Sequence, residues 1–553
     1  MLCHLNDFYM TKKLTLFFAL LFPMTMQAQW KYPSYSQLQI SIDDLAKHPL
    51  VNKVSIGQSY GKEDISILKF GQKNSNHPVL MIVAGIDGLH PAGTINALAV
   101  GKNLLALTPD SLNNLLANKS IWILPLANPD AYKRNATSSL YFTSGNARKI
   151  DNDRDGRIDE DPAKDLNGDG IISQMRVKSL VGTYRVHPDF PDYLLKADLS
   201  KGESGSYELY TEGVDSDQDG MYGEDGASGV NIDRNFTFDY GAFESETGDY
   251  AASEPETRAL LNVIYENPNI ATILHFGLQN NLSVAESFDG NKANTRITAS
   301  WTSNDVEVSN LLTHYYNEST KKLGSAPKAS PTKGNFSSTA YYHAGRFSFV
   351  TPTWWTPTAA DSLKGKFHDN KIESANITDE KFIDWVYTNK IEGAILPWTK
   401  VTHPDFPTQE VEVGGVVEFY KNNPPLELLQ ESSAAHTDFV AKLLKSMATL
   451  VFSSPQVTSL GDDIFRVELK IYNTGSMPTY PEIGDKIRHV SKLKSVIEIQ
   501  KSQQFLSGKR LQLYPALGAG KSQEFSWLIK GKGKVDITVG CPSAGEKTIA
   551  VTL

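Results

Sequence analysis

The sequence predicts an α/β domain with a mixed, largely parallel sheet flanked by helices, followed by a C-terminal all-β sandwich. Up to about residue 415, strands that are apolar along their whole length alternate with helical patterns, as in sheets covered on both faces. A long amphipathic segment follows at 425–450. From about residue 455 the chain consists of short alternating strands separated by turn residues, which is typical of a sandwich.

The first elements of the α/β domain are a hairpin, two buried strands and a helix between them. Residues 51–70 alternate as a hairpin with Gly61 at its turn. The segments "PVLMIVAG" (78–85) and "SIWILPLANPD" (120–130) contain strands buried on both faces. Pro91 opens the helix between them, because proline suits the first helical turn.

The later elements complete the sheet after a polar interruption at 143–228. A helix at 254–268 precedes a buried strand at 270–277, and further strands are expected at 347–355 and 411–415. Ligand sites in such sheets gather where the strands end. We therefore expect Asp87 and His275 at a common site.

Composition indicates a globular protein of more than one domain. The chain has 553 residues, 21% of them charged, with a net charge of −9, and an acidic protein binds nucleic acid poorly. We predict four parts: a signal peptide (1–28), an α/β domain (29–424) with inserts at about 150–228, a connecting helix (425–454) and a sandwich (455–553).

The N-terminal segment has the pattern of a secretory signal. Lys12 and Lys13 precede an apolar run that ends near a small residue, and the run is too short to span a bilayer. We therefore expect a periplasmic or secreted protein with no membrane span. Cys3 would be removed, and Cys541 alone forms neither an internal disulfide nor a cysteine-rich zinc site.

Three acidic loops have the spacing of calcium-binding loops. Alternate side-chain oxygens converge on one hard cation while the following glycine permits a sharp turn. None has a glutamate at position 12, so further ligands must come from elsewhere, with Glu160, Asp161, Glu224 and Asp225 nearby. The alternative is a solvated acidic surface, but three repeats favour structural calcium. The predicted ligands are Asp151, Asp153 and Asp155; Asp165, Asn167 and Asp169; and Asp215, Asp217 and Asp219.

Five motifs occur in the order "LPLANPD", "GVNIDRNF", "SEPETRAL", "TILHFG" and "GRFSF". In this order they resemble the zinc carboxypeptidase family, the carboxypeptidase A-like funnelins, and most of all a secreted bacterial branch with acidic inserts. The resemblance covers roughly residues 50–415 and implies a zinc ion held by an H-x-x-E pair and a later histidine. Here those positions hold Asp87, His90 and His275, a legitimate zinc set with its first two ligand types exchanged. The alternative is that Asp87 and His90 only cap the helix at Pro91.

The resemblance also implies two substrate-binding arginines. Arg234 matches the arginine that holds a substrate's terminal carboxylate, bidentately if the geometry allows. Asp233 stands where the family has asparagine, so the alternative is an Arg–Asp pair that fixes the loop. A second arginine, which polarises the scissile carbonyl in the family, has Arg134 and Arg148 as candidates.

The family's general base has no counterpart in the sequence. Alignment on Ser348 and Phe349 places Pro352 at the glutamate position, and proline takes no proton. His343 is a weak substitute, since such a histidine is more often a hydrogen-bonded rim residue. Trp354 and Trp355 either line a pocket or pack in the core.

Two functions remain open at this stage. One is a secreted zinc metallocarboxypeptidase that hydrolyses C-terminal residues of peptides or peptidoglycan stem peptides with weak activity, its zinc ion polarising the carbonyl and activating water. The other is an inactive pseudopeptidase that binds peptide or glycan. Metal content and the missing base discriminate between them, and the oligomeric state is left open.

Overall fold

The computed structural model describes residues 32–73, 76–137, 142–151, 156–158, 161–223, 229–324, 326–357 and 377–553. The predicted signal peptide lies outside these ranges. Within them, no helix is both long enough and apolar enough to cross a membrane.

The α/β part of the chain is built in three stretches. The first contains α1 (Tyr35–Ala46), β1 (Val51–Gln58), β2 (Asp64–Phe70), β3 (Val79–Ala84), α2 (Pro91–Leu105), α3 (Pro109–Leu116), β4 (Ser120–Leu124) and α4 (Pro129–Thr137). The polar segment contains β5 (Gln174–Lys178), β6 (Tyr184–Val186), β7 (Leu194–Lys196) and β8 (Tyr207–Thr211). The third contains α5 (Pro255–Glu266), β9 (Ile270–Phe276), α6 (Gly290–Ala293), α7 (Ser303–Ser319), α8 (Phe336–Tyr342), β10 (Phe347–Thr351), α9 (Ile377–Asn389), β11 (Ile395–Val401), β12 (Val411–Val416) and α10 (Leu429–Ser446).

The central sheet has the order β1-β2-β4-β3-β9-β10. Strands β4, β3, β9 and β10 run parallel, while β1 and β2 are antiparallel additions at one edge. Every residue of the four parallel strands is buried, because helices and loops cover both faces. The predicted mixed, largely parallel sheet is thus confirmed.

The polar segment forms a second sheet that the sequence analysis did not foresee. Its order is β11-β12-β5-β8-β6-β7, so residues 411–415 pair with β5 and do not complete the central sheet as expected. A cross-strand ion pair fixes this pairing: Arg176 Nε donates to Glu412 at 2.8 Å, directly opposite it in the ladder. The Arg176 guanidinium also lies 4.3 Å from the ring centre of Trp398 on β11, where a cation–π contact adds stability.

The C-terminal region is the predicted sandwich. It contains β13 (Leu450–Phe452), β14 (Gln456–Gly461), β15 (Ile464–Asn473), α11 (Glu482–Lys486), β16 (Leu493–Glu498), β17 (Gln504–Ser507), β18 (Leu511–Tyr514), β19 (Ser522–Lys530), β20 (Lys534–Cys541) and β21 (Gly545–Thr552). Two antiparallel sheets, one around β15 and β19 and one around β16 and β20, share a single apolar core. Cys541 lies in that core as a buried free thiol.

One buried carboxylate joins the sandwich to the α/β part. Asp305 on α7 accepts the backbone N–H groups of Glu482 and Ile483, at 2.8 and 3.0 Å, and the hydroxyl of Tyr341 at 2.9 Å. Asp305 is fully buried, and Ile483 belongs to the core of the α/β part. The contact therefore satisfies the first turn of α11 from across the domain boundary.

We predict that Asp305→Ala lowers the free energy of unfolding by about 3–5 kcal/mol, because three buried donors lose their acceptor. Urea denaturation followed by tryptophan fluorescence measures this change. The control is Asp44→Ala, which removes an exposed pair with Lys47 and should change stability by less than about 0.5 kcal/mol. Equal effects of the two substitutions would contradict the prediction.

Candidate active site

The turn after β3 carries the first two candidate ligands. Gly85 bends the chain with φ of +63°, and Asp87 Oδ1 accepts the backbone N–H of Leu89 at 2.8 Å. His90 precedes α2 but makes no capping hydrogen bond from its side chain. The cap comes from Asn423, whose side-chain oxygen accepts the N–H of Ala92 at 3.2 Å and whose amide donates to Leu89 O at 2.8 Å. Asp87 and His90 are therefore not needed as helix caps.

The two candidate histidines are buried. His90 is 2% exposed and its Nε2 lies 3.2 Å from the hydroxyl of Thr353, while His275 is 1% exposed. Both ring nitrogens of His275, and Nδ1 of His90, have no hydrogen-bond partner within the described ranges. Burial lowers the pKa of His90 to about 4 and that of His275 to about 3, with the His90 charge adding to the latter. Both rings are neutral at pH 7, the state that a metal ligand requires.

The side chains of Asp87, His90 and His275 offer the types of donor atom that bind zinc, but the structure does not place the three donors close together. Donors around a tetrahedral zinc ion lie about 3.3 Å apart. Among the residues that the structure describes, Asp87, His90 and His275 do not bring one donor atom each within 4.8 Å of one another. Zinc binding at these residues stays a prediction.

Asp233 turns inward as a buried carboxylate. It is 5% exposed and accepts the N–H of Phe336 at 2.9 Å and the side-chain amide of Gln279 at 2.7 Å. Burial raises the pKa of Asp233 to about 7, and the nearby Asp87 charge adds to the rise. The pKa of Asp87 is raised to about 6 by burial, with Glu246 adding to it. Asp87, Asp233 and Glu246 thus form one electrostatically coupled acidic group.

The side chain of Arg234 turns outward, away from the inward-facing Asp233. Its guanidinium lies 2.9 Å from Glu244, whose second oxygen lies 2.6 Å from Lys333. The Arg–Asp pair offered as an alternative in the sequence analysis is therefore replaced by an Arg–Glu pair. The loop that supplies this glutamate holds four non-glycine residues at positive φ, an uncommon conformation that marks strain: Asp239, Phe243, Glu246 and Ala252.

The other two candidate arginines are engaged within the protein. Arg148 pairs with the buried Glu254 at 2.8 Å and with Asp249. Arg134 donates to the carbonyls of Gly145 and Asn146 at 2.6 and 3.1 Å, and to the hydroxyl of Thr143. Both guanidinium groups hold the loop after α4, and a role in substrate binding would compete with these contacts.

The position at which the sequence alignment expects the general base follows directly after β10. The residue there is Pro352, and the next residue, Thr353, contacts His90. His343 ends α8 on the exposed rim, with Nδ1 2.8 Å from the hydroxyl of Thr237. Trp354 and Trp355 are 6% exposed and belong to apolar clusters, so packing accounts for both.

Each of the three acidic loops is closed by the same type of hydrogen bond. In each, the glycine N–H donates to the first aspartate: Gly156 to Asp151 at 2.9 Å, Gly170 to Asp165 at 2.8 Å and Gly220 to Asp215 at 3.1 Å. Asp153 and Asp155 lie outside the described residues. In the second loop Asn167 and Asp169 bond to each other, and in the third Asp219 accepts from Met221.

The third loop receives an additional carboxylate from a distant part of the insert. Asp161, which is fully buried, joins Asp215 and Asp217 so that one oxygen from each lies within 4.8 Å of the others. The sequence analysis named Asp161 only as one of four nearby carboxylates and did not assign it to a loop.

Comparison with known proteins identifies the family. The model of the zinc carboxypeptidase family matches residues 40–358, more than half of the chain, and the chain belongs to this family. Residues 449–552 match a domain of unknown function. The family predicted from the motifs is thus confirmed.

Individual relatives are distant. The chain is 29% identical to carboxypeptidase Z of Gallus gallus over 126 residues, covering 21% of this chain and 19% of that protein. It is 25% identical to carboxypeptidase A2 of Mus musculus over 175 residues, covering 28% and 42%. The chain thus spans less than half the length of these relatives.

Solved structures with a similar fold include carboxypeptidase A from Helicoverpa armigera, with 18% identity, a TM-score of 0.35 and coverage of 58% and 64%. Bovine thrombin-activatable fibrinolysis inhibitor in complex with tick carboxypeptidase inhibitor has 13% identity, a TM-score of 0.39 and coverage of 75% and 98%. The family assignment rests on the family model and not on these likenesses.

Three site residues escaped the sequence analysis: Glu246, Gln279 and Thr353. Gln279 stands four residues after His275, in the segment that follows β9, and that position was a usable signal. Glu246 approaches Asp87 from a loop far away in the sequence, so no local sequence pattern indicated that it belongs to the site.

We predict that metal-free protein loses stability as pH rises from about 4 to 7 because of Asp233. The folded state binds a proton at this carboxyl through that range while the unfolded chain does not, so the free energy of unfolding falls with pH. Asp233→Asn removes the effect and should be more stable than the parent by about 2–4 kcal/mol at pH 8. Urea denaturation at pH 5 and 8 measures it, and parallel pH slopes for the two proteins would refute it.

We also predict that calcium stabilises the protein through the third acidic loop. EDTA should lower the melting temperature and added calcium restore it, because a cation bound only to the folded state stabilises that state. Asp217→Asn should reduce the response, whereas Asp169→Asn in the second loop leaves the third loop intact. A melting curve unchanged by EDTA, with no calcium in elemental analysis, would rule the site out.

Proposed function

We propose that this chain binds peptides at the active-site end of the zinc carboxypeptidase fold, with little or no carboxypeptidase turnover. The observation that supports this most directly is Pro352 at the position of the general base. The adjoining Thr353 contacts His90, so this strand end offers a neutral hydroxyl where the family has a carboxylate.

The size of the loss in catalytic rate decides between peptide binding alone and measurable turnover. A positioned general base contributes on the order of 10²–10⁴-fold to rate. Misplacing the attacking water costs about 10²-fold more, and the exchanged order of the first two ligand types at Asp87 and His90 would favour such a misplacement. Together these losses bring an ordinary peptidase close to an undetectable rate.

A second candidate is a slow metallocarboxypeptidase acting on C-terminal residues of peptides or peptidoglycan stem peptides. The observation in its favour is Asp233, a buried carboxyl whose pKa is raised to about 7 by burial, which is the range of a working base. In this version Asp233 takes the proton that the missing glutamate would have taken. The N-terminal signal pattern supports action in the periplasm or outside the cell in either case.

We predict turnover below about 10⁻² s⁻¹ when zinc-loaded protein is incubated with a panel of peptides of varied C-terminal residues, against roughly 1–10³ s⁻¹ for typical enzymes. Release of amino acids is followed by mass spectrometry, and bound zinc is counted in the same sample. The control is Asp233→Asn, which abolishes any turnover that depends on this carboxyl. Turnover of about 1 s⁻¹ or more that is lost on chelation would overturn the proposal.

A further inference from the structure

We propose that an oxyanion binds at Arg346, Tyr265 and His489, on the boundary between the α/β part and the sandwich. We call these three residues the Arg346 site. Arg346 directly precedes β10, Tyr265 lies in the last turn of α5, and His489 belongs to the segment between α11 and β16. The site therefore lies where the parallel strands begin, at the edge of the central sheet opposite the candidate active site. It is independent of the proposed peptide-binding function.

Arg346 is a buried cation without an anionic partner. It is 5% exposed and forms no ion pair within the described ranges, whereas Arg176, the other buried arginine there, pairs with Glu412 at 2.7 Å. Burial lowers the pKa of Arg346 to about 10. Tyr265 acts against this fall, but no carboxylate does, although Glu266 follows Tyr265 in the chain. A charge taken out of water without a counter-charge is costly, so a bound anion would stabilise the folded protein.

Most of the Arg346 hydrogen-bond donors are unused. A guanidinium carries five N–H groups, and Nη1 donates to the carbonyl of Ala344 at 3.0 Å. Nε is buried and has no acceptor within the described ranges. Nη2 also lacks an acceptor there, but it is not enclosed and reaches the surface. An anion that approaches from solvent thus meets free N–H groups on an unpaired charge.

The positions of the two free nitrogens favour an oxyanion over a halide. Nε and Nη2 share the edge of the guanidinium that bonds side-on to two oxygens of one carboxylate or phosphate group. An oxygen bound at Nη2 directs the second oxygen of the same group toward Nε. A single spherical ion satisfies this pair of parallel donors less well.

Tyr265 and His489 supply further donors beside the guanidinium. Their rings lie 4.9 Å apart, edge to face, and neither the Tyr265 hydroxyl nor the His489 ring makes a hydrogen bond within the part of the chain that the structure describes. Burial lowers the pKa of His489, and the Arg346 charge adds to the fall. Burial raises the pKa of Tyr265, and the Arg346 charge opposes that rise. The hydroxyl and the imidazole N–H are both suited to an oxyanion.

The backbone holds the two parts of the site together. A Cβ added at Gly345, next to Arg346, would lie 3.0 Å from the carbonyl oxygen of His489. Gly345 also has a φ of +64°, a conformation that favours glycine. The segment of the sandwich that carries His489 is therefore packed directly against the turn before β10.

The segment around His489 is basic. Residues 486–494 contain four lysines and arginines and no carboxylate. Lys492 and Lys494 pair with carboxylates outside this segment, whereas Arg488, next to His489, forms no ion pair within the described ranges. A surface of one sign of charge raises the local concentration of the opposite ion, so the segment favours approach of an anion to the site.

The test is the melting temperature of the full chain, free of metal, in chloride, phosphate and acetate at one ionic strength. We expect about 10 mM phosphate or acetate to raise it by about 2 °C or more above chloride, because an anion bound only by the folded state stabilises that state. A rise in phosphate alone supports a site for a phosphate group. A rise in acetate supports a site that also takes carboxylates.

Two substitutions separate this site from a purely structural arginine. Arg346→Met should abolish the rise without lowering the melting temperature in chloride, since an apolar side chain removes the cost of the buried charge. Tyr265→Phe removes one hydroxyl from an exposed ring and should weaken anion binding by about tenfold, which keeps the test decisive if Arg346→Met does not fold.

The control is Arg510→Met, a substitution of an exposed sandwich arginine that pairs with Glu498, and it should keep the full response to the anion. Equal melting temperatures of the parent protein in all three salts would overturn the inference. A rise that both Arg346→Met and Tyr265→Phe retain in full would overturn it as well.

Discussion

The site depends on the register between three parallel strands. Val83 on β3 and Val350 on β10 both lie beside His275 on β9. Because the strands run in the same direction, the segments that follow this row leave the sheet at one edge. Those segments carry Asp87 and His90, Gln279, and the Pro352–Thr353 pair. A slip of one residue in β9 would turn His275 from its present face to the opposite one.

Burial at this edge of the sheet explains the shifted pKa values of the site's side chains and the unpaired acceptor among them. A neutral imidazole, a carboxyl with a raised pKa and an amide oxygen without a donor all occur within a few residues of the strand ends. Each is costly to a folded protein, and such groups persist chiefly where function retains them. The neighbouring loop with its positive φ residues belongs to the same pattern, since strain tends to collect at binding sites.

The additions to the fold are attached by polar contacts between buried groups. Asp305 satisfies α11 from α7, Asn423 caps α2 from beyond β12, and Lys119 donates to the last carbonyls of α10 at 2.8 and 3.0 Å. In each case a side chain completes the hydrogen bonding of a helix end that lies far away in the sequence. Each of these helix ends is thereby fixed to a distant part of the chain.

The sequence by itself determined the fold class and the family, because these follow from local pattern and motif order. Continuous apolar runs indicated β3, β4 and β9, and alternation after residue 455 indicated the sandwich. Only the tertiary structure decided the second sheet, since β5 and β12 pair through Arg176 and Glu412, which lie far apart in the chain.

The charge partners of the site were likewise beyond sequence reasoning. Asp233 and Arg234 are adjacent in a short 3₁₀ turn, so their side chains leave it in different directions. One turns inward to Gln279 and Phe336, and the other outward to Glu244. Adjacency suggested that they pair with each other, but side-chain direction and the long-range contacts available to each residue determined the outcome.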